Sequence, residues 1–236
     1  MEKLLLFDID GTLIDTEGAG LISLEEGLFS AFPELEGRPF PPLDLGGATD
    51  GSVIAFLFEA FGLEDHSGNR KRFFEFYLHA LKGRLQSFEK EGKGRLLAGV
   101  VPLLEGLARC SDRLTLGLLT GNTADGAKVK LSHYGVDHHF VFGAYGDDHA
   151  DRNALGPIAL ERAERDHGLK FEPTDVVVIG DTPKDVACAR AFGARVIAVA
   201  TGASSHEELA AFDPDILLED FANTDDALAA IEAAFA

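Results

Sequence analysis

The chain alternates between short, uninterrupted apolar runs and longer stretches whose apolar residues recur every three or four positions. The first run, Leu4-Leu5-Leu6-Phe7, stops abruptly at Asp8-Ile9-Asp10-Gly11. A run of that length, bounded by acids and a glycine, predicts a strand buried on both faces. Leu114 to Leu119 is a second such run, ending at Thr120-Gly121-Asn122, and Phe140-Val141-Phe142 is a shorter third. Val176-Val177-Val178-Ile179 leads to Gly180-Asp181 and predicts a fourth strand. Arg195 to Ala200 predicts a fifth, and Ile216-Leu217-Leu218 a sixth. Between these runs the spacing predicts helices over 100–110, from Asn122 or Thr123 to Tyr134, over 156–167 and over 183–192. Strands alternating with helices imply a parallel sheet covered on both faces.

Residues 16–97 break this alternation just after the first strand. Thr16 is placed to cap a helix carrying Leu21, Leu24, Leu28 and Phe32. Loops follow at Pro33–Pro42 and at Gly46-Gly47-Ala48-Thr49-Asp50-Gly51, then Phe-rich helices near 52–61 and 69–87, then a charged connector over 89–95. The expected fold is therefore α/β, a Rossmann-like three-layer sandwich with a parallel sheet formed by residues 1–15 and 98–236. An all-α cap of residues 16–97 is inserted where it can act as a lid over the strand ends.

Composition narrows the partners. The 236 residues are 46% hydrophobic and 26% charged, as in an ordinary globular protein, but the net charge is −19. That charge argues against nucleic acid and anionic membrane surfaces as partners, and it means an anionic substrate needs positive charge concentrated locally. The four apolar residues before Asp8 are too few for the central region of a signal peptide, and no stretch reaches bilayer length. Cys110 and Cys188 fall in helical segments without zinc-like spacing; two buried, reduced thiols and a cytoplasmic location are expected.

The strand ends carry the candidate chemistry. Side chains 8 and 10 of an extended segment point to the same side, so Asp8 and Asp10 repel unless a cation or a shared proton intervenes. Gly11 lets the chain leave the strand sharply. On its own the stretch could also be an acidic turn. Thr120, followed by Gly121 and a helix N-terminus, favours an anion such as phosphate. Asp181 together with Asp8 offers the hard oxygen ligands that Mg²⁺ prefers. Asp185 completes a capping-box variant, Thr182-Pro183-Lys184-Asp185, a role compatible with a place near the metal. Arg152, flanked by Asp148 and Asp151, reads by itself as a surface ion pair, and His138-His139 as a loop pair.

Taken together, Asp8-x-Asp10-Gly11-Thr12-Leu13, Thr120-Gly121-Asn122, Arg152 and Gly180-Asp181-x-x-x-Asp185 resemble the four motifs of the haloacid dehalogenase superfamily. The resemblance spans the whole chain, with 16–97 in the place of the helical cap, and is strongest to the phosphoglycolate phosphatase-like branch. It implies that Asp8 is a nucleophile forming an aspartyl-phosphate and that Asp10 is general acid and then general base. Thr120 would hold phosphoryl oxygens, and Arg152 would supply the basic group. Mg²⁺ would be bound by Asp8, the Asp10 carbonyl and Asp181, with Asp185 beside them. Gly11, Gly121 and Asn122, with Thr49 and Asp50 of the cap loop, would line the substrate site. The implied partner is a small phosphorylated metabolite, with phosphoglycolate a candidate, hydrolysed by a monomer or homodimer.

Three positions depart from the pattern. Arg152 stands where the family more often has Lys, Ala48 where relatives often place a basic residue, and Gly20 where sugar-phosphate mutases carry His. Gly20 and Ala48 argue against a mutase, and Asp10 against a 2-haloacid dehalogenase. Retention of Asp8, Thr120 and Asp181 argues against a non-catalytic binding module.

Overall fold

The computed structural model describes residues 2–109 and 113–236. The chain begins with β1 (Lys3–Phe7) and β2 (Ile14–Asp15), followed by helices α1 (Ala19–Ala31), α2 (Asp50–Phe61) and α3 (Ser67–Lys90). Then come β3 (Arg95–Leu96), α4 (Val100–Ala108), β4 (Leu114–Leu119), α5 (Ala124–His133), β5 (Phe142–Ala144) and α6 (Leu155–His167). The chain closes with β6 (Val176–Gly180), α7 (Pro183–Phe192), β7 (Arg195–Val199), α8 (His206–Ala210), β8 (Ile216–Leu218) and α9 (Thr224–Ala234).

Six strands form one parallel sheet in the order β5-β4-β1-β6-β7-β8. Because successive side chains of a strand face opposite ways, each apolar run feeds two cores. Leu5, Phe7, Val177 and Ile179 pack with Leu104 of α4, Leu131 of α5 and Ile231 of α9. Leu4, Leu6, Val176 and Val178 pack with Ala159 of α6, Val186 of α7 and Leu209 of α8. The result is three layers, helices on both sides of a parallel sheet. A third cluster, with Leu28, Phe58, Phe73 and Leu81, lies within α1–α3.

The strand order reverses at β1, whose neighbours are β4 on one side and β6 on the other. Loops leaving the neighbouring strands β1 and β6 run in opposite senses and open a crevice at their carboxyl ends, the place where α/β sheets bind ligands. The peptides leading out to the helical block and back pair as a two-stranded antiparallel ribbon, Ile14 with Leu96 and Asp15 with Arg95.

Some expectations shift. Thr16 does not cap α1; Gly18, at φ 84°, occupies that position. The third strand is Phe142–Ala144 instead of 140–142, because Gly117, Leu118 and Leu119 of β4 pair with residues 142–144. Phe140 instead sets its ring edge-on to Phe7, with centroids 5.9 Å apart. Leu21 is 40% exposed instead of lying in the α1 core stripe. Cys188 is buried with a free thiol, which burial pushes up to about 12. Cys110 lies outside the described residues.

Candidate active site

Adjacent strand ends bring the motif residues together. Asp8 follows β1, Thr120 follows β4, and Asp181 follows β6. A cavity of about 450 Å³ opens above them. Asp8, Asp10, Gly11, Asp50, Gly121, Asn122, Arg152 and Asp181 line it; Thr49, Thr120 and Asp185 do not.

Asp8 is almost fully buried. Its Oδ2 lies 3.1 Å from Arg152 Nη2, and its Oδ1 has no hydrogen-bond partner among the described residues. Burial pushes the Asp8 carboxyl up to about 6, against the opposing pull of Arg152. Arg152 does not make the surface pair that its acidic neighbours suggest. It is 6% exposed, and the same Nη2 also bonds Asp185 Oδ1. Asp148 is engaged instead by Arg162, at 2.6 and 2.9 Å. Arg152 is drawn inward because two carboxylates there need a counter-charge, and burying them unpaired would cost several kcal/mol. The Cys188 thiol donates to the Arg152 carbonyl at 3.1 Å, fixing the backbone from below.

Asp185 serves two partners at once. Its Oδ2 accepts from the Thr182 amide (3.0 Å) and hydroxyl (2.6 Å), forming the capping box of α7, while Oδ1 takes Arg152. Gly180 makes this possible, since a Cβ there would collide with the Asp185 carboxyl. Asp181 accepts from the Thr12 hydroxyl at 3.0 Å and is enclosed by Gly11 and Gly202, where side chains would overlap its carboxyl. Burial, with Asp185 and Asp8 nearby, holds Asp181 well above the usual carboxylate range.

Asp8, Asp181 and Asp185 each present an oxygen within 4.8 Å of the others, all three residues buried. Three dry carboxylates with one orphaned oxygen form a donor set suited to a hard divalent cation. The Asp10 side chain is not part of that set. It turns to a partner that the sequence reading missed, Lys130 of α5, whose Nζ lies 2.8 and 2.6 Å from its two oxygens. Lys130 also donates to Asn122 Oδ1 at 2.6 Å, and Asn122 Nδ2 donates to Asp10 Oδ2 (2.8 Å) and Thr120 Oγ1 (2.9 Å). Lys130 is 4% exposed. It stands in the inward stripe Gly126, Ala127, Lys130, Leu131, and a lysine in such a stripe is the signal that could have disclosed it.

The α1–α3 block meets these loops through backbone. The Asp50 amide donates to Gly121 O (2.6 Å), Gly51 to Gly146 O (3.2 Å), and the Thr49 hydroxyl to Ala150 O (2.8 Å). The Asp50 carboxylate accepts from the Thr123 amide at 2.8 Å, and burial pushes it up to about 6, opposed by Lys130. Thr49 thus caps α2 and ties it to the loop at Ala150. His138 and His139 lie in a single helical turn outside the cavity lining, their rings tilted by 36° with centroids 4.1 Å apart.

The chain is similar to known proteins in both sequence and structure. Residues 152–224 match the family model described as HAD-hydrolase-like. The chain is 29% identical to a phosphoglycolate phosphatase of Rhodospirillum rubrum over 96% of this chain and 90% of that protein. It is 22% identical to a phosphoglycolate phosphatase of Vibrio vulnificus, covering 93% of each. The crystal structure of a hydrolase from Pseudomonas syringae superposes with a TM-score of 0.69 at 22% identity, covering 98% of this chain and 99% of that one.

Proposed function

We propose that the chain is a haloacid dehalogenase-like hydrolase, a Mg²⁺-dependent phosphatase acting on a small phosphate monoester through an aspartyl-phosphate on Asp8. One observation carries this reading: Asp8 stands at the cavity floor with one oxygen fixed by Arg152 and the other unpartnered. A nucleophile needs such an arrangement, oriented by one oxygen and free at the other.

Asp8 attacks phosphorus, and the bond to the alcohol oxygen breaks. Asp10 gives that oxygen a proton, then takes one from the water that hydrolyses the acyl-phosphate. Lys130 and Asn122 aim the Asp10 carboxyl for both steps. Arg152 holds Asp8 in place and faces the charge that spreads over the phosphoryl oxygens. Thr120, expected to hold those oxygens, is buried behind the cavity and orients Asn122 at its wall, while the amides of Asn122, Thr123 and Ala124 are taken by Thr120, Asp50 and Asp147. Asp8, Asp181 and the Asp10 carbonyl would hold Mg²⁺, with Asp185 behind them. The ion would supply charge neutralisation for the carboxylates and the transferring group.

Residues 16–97 act as a cap whose loop at Thr49 and Asp50 closes the cavity. The relatives from Rhodospirillum and Vibrio are named phosphoglycolate phosphatases, which makes phosphoglycolate the first metabolite to assay. No helix among the described residues is long and apolar enough to cross a membrane, and a buried free thiol fits a cytoplasmic setting. The test is hydrolysis of p-nitrophenyl phosphate by the purified chain. Turnover with Mg²⁺ that stops on chelation and returns on re-addition is expected; a folded protein inert with every divalent ion contradicts the reading.

A further inference from the structure

The charges around the cavity are lopsided. Its lining carries six carboxylates, Asp8, Asp10, Asp15, Glu17, Asp50 and Asp181, against two cations, Arg152 and Lys130. Both cations are engaged. Arg152 lies between Asp8 and Asp185 on the floor, where the phosphoryl group must sit. Lys130 places its ammonium against both oxygens of Asp10 and against Asn122 Oδ1, three acceptors for three protons.

The part of the lining contributed by residues 16–97, called the wall below, has a different character. It is made of Leu21, Leu24, Leu45, Val53 and Tyr77, with Asp15, Glu17 and Asp50 beside them, and none of its lining residues is basic. Two of those leucines are unusually open for their size, Leu21 at 40% and Leu45 at 37% exposure. Two other basic groups, Arg95 and Lys184, lie outside the lining, Lys184 with its stem beside Gly47. Arg95 pairs with Asp15 (2.9 Å) and Glu17 (3.5 Å) but is 62% exposed and outside the lining. Lys184 lines a neighbouring depression with Leu43 and Phe56.

A second anion on the substrate would thus lie against leucines and beside carboxylates, with both cations of the described lining already engaged. An apolar group in the same place loses nothing and removes leucine surface from water. We propose that the substrate is a phosphate monoester whose alcohol part carries no negative charge of its own and lays an apolar surface against the Leu21–Leu24–Leu45 wall. This rests on the phosphatase reading and narrows its substrate class, away from phosphoglycolate, whose leaving group bears a carboxylate. Specificity of this kind comes from what the site fails to pair as much as from what it contacts.

The test compares kcat/KM, with saturating Mg²⁺, for butyl phosphate, 2-aminoethyl phosphate and phosphoglycolate, using p-nitrophenyl phosphate as the reference for activity. Butyl phosphate is expected to exceed phosphoglycolate by at least tenfold. Leu21→Lys brings an ammonium to the wall at an exposed position that tolerates it, and should cut that ratio at least tenfold by raising phosphoglycolate turnover. Leu45→Lys offers a second placement if the first variant folds poorly. Parity or preference for phosphoglycolate in the parent enzyme overturns the inference, as does an unchanged ratio in both lysine variants. A tenfold lead for 2-aminoethyl phosphate over butyl phosphate also overturns it, since the acids and not the leucines would then select the substrate. Inactivity on all four, p-nitrophenyl phosphate included, overturns the phosphatase reading itself, so the two failures are told apart.

Discussion

Asp8 and Asp10 leave the same strand two residues apart, and each is met by one buried cation, yet their surroundings differ sharply. Asp8 and its partner Arg152 are 7% and 6% exposed at the side chain, whereas Asp10 is 41% exposed beside a 5% exposed Lys130. The Arg152 guanidinium is held between two carboxylates and its backbone carbonyl accepts from the Cys188 thiol, so the Asp8 end is rigid and dry. Lys130 and Asn122 grip Asp10 from one side only and leave the other open to the cavity. The contrast suits a division of labour. A nucleophile gains from fixed geometry and poor hydration, while a group that exchanges protons with a leaving group and with water needs a solvent-facing side.

Breaking the dry half should have the larger effect. Arg152→Ala is expected to lower kcat at least hundredfold, the scale for losing one preorganised charge donor, and to lower stability because Asp8 and Asp185 lose their common partner. Arg152→Lys should recover only part of that loss, since an ammonium restores the charge without the planar fork. Steady-state kinetics of both variants with saturating Mg²⁺, alongside thermal melts, measure this; parental turnover by Arg152→Ala removes Arg152 from the chemistry.

Loosening the open half should do less, and selectively. Lys130→Met keeps the bulk and removes the ammonium that aims Asp10. It should lower kcat/KM for alkyl phosphates about ten- to hundredfold but for p-nitrophenyl phosphate much less, because nitrophenolate departs without a proton. An equal loss on both substrates would reduce Lys130 to a structural part of α5.

The smallest effect concerns the seam between the two regions. Asp50 holds its proton to about pH 6 in the folded protein, against about 3.8 ordinarily, because it is buried where cap loop meets α5. The folded state therefore binds this proton more tightly than the unfolded chain. The contribution to stability is full below pH 4 and lost as pH rises through 6, on the order of 1 to 3 kcal/mol. Asp50→Asn should flatten that part of the pH–stability curve of the metal-free protein, measured by urea unfolding between pH 4 and 7. An unaltered curve would mean that Asp50 is hydrated in solution.

Much of this was legible in the sequence because the determinants are local. Runs such as Val176–Ile179 must be strands buried on both faces, and a polar residue closing such a run has little structural reason to be there. Arg152 was harder, since its acidic neighbours in sequence, Asp148 and Asp151, are not its partners in space; Asp8 comes from the end of β1 and Asp185 from the first turn of α7. Lys130 belongs to no motif, and only its place in the inward stripe of α5 with Ala127 and Leu131 marks it in the sequence. The β2–β3 ribbon is only two residues long on each side, and α9 is built on Ala227, Ile231 and Ala234, too small a stripe to stand out. The third strand was displaced by two residues because Phe140 is apolar for packing on Phe7, not for pairing. Charge partners and short pairings depend on topology, which periodicity does not encode.

The central claim is that Asp8 carries the phosphoryl group, and trapping it tests the claim most directly. Enzyme mixed with substrate and Mg²⁺, quenched in acid within milliseconds and digested, should yield a peptide containing Asp8 that is heavier by one phosphoryl group and loses it in mild base. Asp8→Asn, nearly isosteric, should give neither the modified peptide nor turnover, several powers of ten below the parent. Phosphate found on another residue, or near-normal hydrolysis by a folded Asp8→Asn protein, would contradict the account.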